Sequence, residues 1–170
     1  MSNKANSIIE HLKMQRIPHE GSWFTLSYTN SLFIPQAVLG EHYASFRPAS
    51  SAILALVTRE DFSALHRLVS DELWHYYDGS SLELLLLYPD GSSSLEILGP
   101  DVLNDEKPQI TVKRGTWMGA RPATATTESY TLFGCTLSPG FEYSDFELAE
   151  RLALQKLYPD RTLLIEKLTR

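Results

Sequence analysis

His66 and Glu72 stand in one short stretch, Ser63 to Gly79, together with Trp74, His75, Tyr76 and Tyr77. An imidazole beside a carboxylate can pass protons at neutral pH, orient a polar ligand, or contribute to a metal site. Aromatic neighbours would give such a pair the walls of a small-molecule pocket. The stretch reads as two strands, Ser63–Val69 and Glu72–Asp78. Side chains alternate along a strand, so if Glu72 points inward, Trp74, Tyr76 and Asp78 point inward too. Leu73, His75 and Tyr77 then point the other way, and His66 shares a face with Ala64 and Leu68. Two readings stay open: a polar group set in an aromatic pocket, or a hydrogen-bonded His–Glu pair inside a core.

The elements that must hold these residues are short and mostly extended. Residues 3–15 predict an amphipathic helix with Ile8, Ile9 and Leu12 on one face, stopped by Pro18. Ser22–Thr29 alternates as a strand, with Phe24, Leu26 and Tyr28 on one side. Residues 30–50 carry Pro35, Gly40 and Pro48 without a period and read as a long loop. Ser51–Thr58 is a buried strand by its length and apolar run. Ser81–Tyr88 and Ser94–Leu98 form a hairpin around the Pro89-Asp90-Gly91 turn. Ile110–Lys113, Trp117–Arg121 and Ser129–Ser138 are further strands. Ser144-Asp145-Phe146-Glu147 has the pattern of a capping box and predicts a helix over 144–158, ended by Tyr158-Pro159, with a last short helix near Leu163–Leu168. Strands without helix–strand alternation point to a sandwich or barrel with terminal helices.

Composition narrows the function. The chain has 170 residues, enough for one domain with a real core, and 43% are hydrophobic. A formal net charge of -6 argues against binding a phosphate backbone or an anionic membrane. Cys135 is the single cysteine, so no intramolecular disulfide can form, which fits a reducing compartment. The first residues lack the apolar core of a signal peptide, and no run approaches the ~20 apolar residues of a membrane span. A cytoplasmic location is the expectation. Cys135 reads as a small buried hydrophobe rather than a nucleophile. His11 and His42 read as surface residues.

The spacing of His66, Glu72 and Gly79 resembles the first motif of the cupin superfamily. That motif has a glycine, two histidines one residue apart, a glutamate and a closing glycine. Leu68 takes the second histidine place and Glu60 the opening glycine place. In the second motif Gly115 matches, but Lys113, Met118 and Pro122 stand at the proline, histidine and asparagine places. A closer resemblance is to the fifth cupin family, a group of largely uncharacterised stand-alone cupins. It rests on Pro18-His19-Glu20-Gly21, His66-Arg67, Ser70-Asp71-Glu72-Leu73-Trp74-His75, Gly115-Thr116-Trp117, Cys135 to Phe141, and Asp145-Phe146-Glu147-Leu148.

The resemblance implies a mainly β fold: a double-stranded β-helix, or jelly roll, with an N-terminal helix and C-terminal helices. It implies one domain over 1–170, a barrel over about 22–138, a pocket inside it, and a homodimer. Cupins that hold iron, manganese or nickel use three histidines and the glutamate. Only His66 and Glu72 remain here, so no metal and no cofactor are expected. Three functions follow. The first is a small-molecule-binding module, with Trp74, Trp117 and Phe133 as walls and Glu20, Arg47 and Met118 near the ligand. The second is a metal-free epimerase or isomerase acting on a sugar or nucleotide-sugar, with His66 as base, Tyr76 as proton donor and Glu72 or Asp71 orienting the imidazole. The third is a metal-dependent enzyme. A diphosphate would call on Arg47, Arg67 or Arg121.

Overall fold

Strand after strand in this chain is apolar on at least one face, and two sheets closing on each other bury those faces together. The structure is a computed structural model describing residues 3–124, 126 and 128–170. Among the described residues, one sheet is built from β1 (Gln15–Arg16), β2 (Trp23–Thr29), β5 (Ser51–Thr58), β7 (Glu72–Gly79), β10 (Gln109–Val112) and β12 (Tyr130–Leu137). Across the sheet these six strands run in the order β1-β2-β5-β12-β7-β10. The facing sheet has five strands: β6 (Ser63–Leu68), β8 (Leu82–Leu87), β9 (Ser93–Leu98), β11 (Trp117–Pro122) and β13 (Phe146–Leu148). Their order is β13-β6-β11-β8-β9. Each strand pair in the two sheets is antiparallel. This is the expected jelly roll.

The interior between the sheets is filled by Val57, Leu68, Trp74, Leu84, Met118, Phe133 and Leu137, among others. Each sheet also has an apolar outer face, and each is covered by helix. On the six-stranded sheet, α1 (Asn3–His11) lays Ala5, Ile8 and Ile9 over Leu54, Leu56 and Tyr130. On the other, α3 (Arg151–Leu157) and α4 (Thr162–Lys167) bring Leu154, Tyr158, Ile165 and Leu168 onto Leu65, Leu85, Leu87 and Trp117. The leucine run of β8 follows from this. Leu82, Leu84 and Leu86 face the barrel interior while Leu85 and Leu87 face the helices.

Three expectations change. The N-terminal helix ends at His11, before residue 15, and Met14 tucks beneath the helix as part of its buried face. Residues 30–50 hold structure of their own: β3 (Phe33–Ile34) pairs with β4 (Arg47–Pro48), with the short α2 (Gln36–Leu39) between them. The third concerns the capping box. Phe146–Leu148, expected inside a helix, is the strand β13, paired with β6 from Phe146↔Leu68 to Leu148↔His66. The helix begins at Arg151, and its cap is the Glu150 carboxylate, which accepts from the Leu152 and Ala153 amides. Tertiary pairing outweighs the local signal because an edge of β6 needs hydrogen-bond partners. The barrel therefore extends to residue 148, past the expected boundary at 138.

Asp145, immediately before β13, meets Arg47 from β4. The Arg47 guanidinium donates Nε to Oδ2 at 2.7 Å and Nη2 to Oδ1 at 2.5 Å, and both side chains are buried. Further donations go to the Ser45 and Phe46 carbonyls and to the Ser144 hydroxyl. This buried fork ties residues 45–48 to the segment that leads into β13. Removing one partner leaves an uncompensated buried charge. Asp145→Ala is expected to lower the unfolding free energy by about 3–5 kcal/mol, and Arg47→Met with Asp145→Leu to recover most of it, measured by urea denaturation. A loss below about 1 kcal/mol for Asp145→Ala would contradict a structural role for the pair.

Candidate functional site

Strand parity brings His66 and Glu72 to the same interior space. Glu72 opens β7 with its side chain inward and Trp74 follows on the same face, both buried. His75 points to the opposite side, where Nε2 lies 3.2 Å from the Thr136 hydroxyl and Nδ1 3.0 Å from the Gln109 amide. His66 comes from β6 in the facing sheet.

The polar groups at this point are buried and satisfy one another in part. The Trp74 indole Nε1–H donates to Glu72 Oε2 at 2.8 Å. The Cys135 thiol, opposite Trp74 on β12, donates to the same carboxylate. His66 Nδ1 lies 2.8 Å from the Ala64 carbonyl. A carbonyl only accepts, so Nδ1 carries the proton and, in the neutral ring, Nε2 presents its lone pair. The His66 ring stacks on Phe146, centroids 5.2 Å apart, which fixes its plane. Nε2 makes no hydrogen bond among the described residues.

Glu20 completes the cluster from the turn ahead of β2. Its Oε1 accepts the hydroxyls of Ser22 at 2.8 Å and Ser63 at 2.6 Å, and the side chain is buried. The turn is held by the chain's last residue. Arg170 Nε donates to the Glu20 carbonyl at 2.9 Å. Gly21 has φ 103°, a conformation that favours glycine, and a Cβ there would displace the Arg170 guanidinium.

These groups open onto a cavity of about 80 Å³. Its walls are mostly apolar, Phe24, Ile53, Leu68, Leu137, Phe141 and Phe146 among them, with His66, Glu20, Glu72, Cys135, Ser51 and Tyr143 as polar exceptions. A smaller recess of about 30 Å³ continues inward to Trp74 and Phe133. Those two rings stack at 4.7 Å, 5° from parallel. Of the expected site residues, His66, Glu72, Glu20, Trp74 and Phe133 are thus brought together.

The other four lie apart from the cavity lining. Arg47 is spent on Asp145. Met118 pairs with His66 across β6 and β11 and is packed in the interior core. Trp117 is one residue out of phase with Met118, so it faces the C-terminal helices with the Arg67 guanidinium 4.5 Å from its ring. Tyr76 pairs with Phe133 and packs against the interior core, but its hydroxyl is spent on the Gly79 carbonyl at 2.6 Å; the register shift just beyond it turns Asp78, expected inward, to Tyr130 and Lys4 on the outer side. Burial and nearby Asp78 push the Tyr76 pKa up. Asp71 binds Lys113 and the Arg114 amide rather than orienting His66. Sequence reasoning missed Phe24, Phe141 and Phe146 as walls and Cys135 as a polar partner. The parity of β12 carried the last of these, since Cys135 alternates with Phe133 and Leu137.

Burial pushes the Glu72 carboxyl up to about 7, and Glu20 adds to the rise, while His66, the Trp74 indole and the Cys135 thiol oppose it. Burial first, then Glu72 and Glu20, raise the Cys135 thiol well above its ordinary value, so it stays a donor and not a nucleophile.

The metal set of the cupin fold is not matched here. Leu68 and Met118 stand at two nitrogen positions, and the Glu72 oxygens receive an indole and a thiol. Among the described residues no group of three or more His, Cys, Asp and Glu side chains has the geometry to hold a metal ion.

The fold and this interior polar site define a cupin jelly roll. The chain belongs to the family described as "Cupin superfamily (DUF985)", whose model matches residues 6–149. A solved protein from Shewanella oneidensis is 31% identical with a TM-score of 0.84, covering 100% of this chain and 99% of that one. A hypothetical protein from Leishmania major is 29% identical with a TM-score of 0.85, covering 97% and 98%. A cupin 2 domain-containing protein from Halorhodospira halophila shares the fold at 12% identity, with a TM-score of 0.55 and coverage of 91% and 86%. No curated protein matches the chain.

The raised carboxyl has a consequence for stability. Glu72 takes up its proton more readily folded than unfolded, so its contribution is full below pH 4.5 and lost as pH rises through about 7. Integrated over that shift the loss is about 3 kcal/mol, of which about 2 falls between pH 5.5 and 8. Glu72→Gln keeps an acceptor for Trp74 without the charge. Urea midpoints at these two pH values are expected to show the wild type losing about 2 kcal/mol more than the variant. Equal losses would place Glu72 at an ordinary carboxylate value.

Proposed function

We propose that this protein binds a small molecule inside the barrel, with His66, Glu72 and Glu20 making the polar contacts and Phe24, Phe141 and Phe146 enclosing the apolar part. The observation that carries this is the convergence of unspent polar atoms on an apolar cavity. A structural His–Glu pair would spend both side chains on each other, whereas Nε2 of His66 faces open space. The cavity is smaller than the ~300 Å³ at the low end for drug-sized ligands, which favours compact ligands over a nucleotide-sugar.

A second reading, metal-free proton transfer, is supported by the tautomer of His66. Nε2 is available as a base, and a Glu72 carboxyl near neutrality can hold the complementary proton. Tyr76 has no part in it. The reading includes a cytoplasmic setting and the homodimer of the family resemblance. Leu26, Tyr28, Phe33 and Phe46 leave apolar surface exposed, and light scattering showing a monomer would remove that part.

The test is a fragment library screened by ¹H–¹⁵N spectra of the Trp74 indole, which touches Glu72. Ligands are expected to move this resonance and raise Tm by about 2–4 °C for each kcal/mol of binding, with the effect lost in His66→Ala. Ligands that move only surface resonances would contradict the interior site. Loss of deuterium or epimerisation of a bound ligand, abolished by the same variant, would move the assignment to catalysis.

A further inference from the structure

We propose that the barrel cavity is selective for a small organic ammonium ion, an alkyl amine with a compact apolar body, and excludes carboxylates and phosphates. This deepens the binding reading and rests on it.

The carboxylate and imidazole atoms offered to a ligand are acceptors, and the other oxygens on the lining, the Ser51 and Tyr143 hydroxyls, carry no charge. Oε1 of Glu20 receives two serine hydroxyls, while Oε2 makes no hydrogen bond among the described residues. His66 spends its one proton on Ala64 and turns a lone pair inward. Glu72 receives an indole and a thiol and donates nothing when ionised. No lysine or arginine lines the cavity or its inner recess. Three arginines elsewhere in the fold are committed to other partners: Arg47 to Asp145, Arg16 to Asp61, and Arg170 to the Glu20 carbonyl and the Phe62 ring.

Two carboxylates in an apolar enclosure repel each other and are poorly solvated, and burial already drives Glu72 toward its neutral form. An ammonium group entering this space supplies donors to the two unfilled acceptors, Glu20 Oε2 and His66 Nε2, and the missing positive charge. Phe24, Phe141 and Phe146 offer ring faces that suit a cation or its alkyl body. An anionic group of the same shape would meet two acids and no lysine or arginine to balance it. The cavity volume of about 80 Å³ fits a body of a few carbons.

Three isosteres separate charge from shape: isobutylamine, isobutanol and isobutyrate, each titrated at pH 7.5 while following the Trp74 indole resonance. The amine is expected to bind at least about tenfold tighter than the alcohol, with isobutyrate not binding. Glu20→Gln, which keeps an acceptor for both serines, is expected to weaken the amine by about tenfold more than it weakens the alcohol. Glu72→Gln serves as the second variant if Glu20→Gln fails to fold, with the same expectation. Isobutanol or isobutyrate binding as tightly as the amine would overturn the charge selectivity and leave the binding site standing. Amine binding that is indifferent to the folded variant would overturn the selectivity in the same way. Failure of all three to move the indole would overturn both.

Discussion

A carboxyl group held out of water inside an apolar barrel is the constraint around which this structure is arranged. Glu72 cannot be hydrated where β7 places it, and no arginine or lysine answers it. It is stabilised by an indole N–H, a thiol and an imidazole brought in by three different strands. Each of those groups is then fixed by something else. Trp74 stacks on Phe133, His66 is oriented by the Ala64 carbonyl and by Phe146, and Cys135 is packed among apolar neighbours. The polar network is rigid because the space around it is not polar.

Residues far from the barrel interior keep that space shaped. The buried Arg47–Asp145 pair anchors the chain where it enters β13, and β13 delivers Phe146 to the face of His66. On the other side, Arg170 at the end of the chain holds the Glu20 turn through its carbonyl and fills the space beside Gly21. The site thus draws on both termini of the fold. A buried ion pair of this kind contributes little net stability against an apolar replacement, and its value here lies in where it puts β13.

Much of this was legible in the sequence, and the limits follow from the physics. Alternation set the faces of β6 and β7, so His66, Glu72 and Trp74 converge and His75 is excluded, as parity requires. It held through Tyr76 and misled at Asp78, which turns outward to Tyr130 and Lys4, because a register shift between β7 and β12 is a tertiary event with no local signature. Arg47 looked free to meet a ligand because its partner lies 98 residues away. The 144–147 capping pattern was a true local preference overridden by strand pairing. Glu20 carried no signal in spacing at all and entered only through family resemblance. Its serine partners and its burial show why a turn residue can belong to a barrel interior. Trp117 and Met118 are adjacent, so only one of them could face inward.

Glu72 is a desolvated acid poised near neutrality on the lining of the barrel cavity. The most direct test is a ¹³C titration of its side-chain carboxyl in the folded protein. A midpoint near 7 is the predicted result, and a midpoint at the ordinary 4.5 would contradict it.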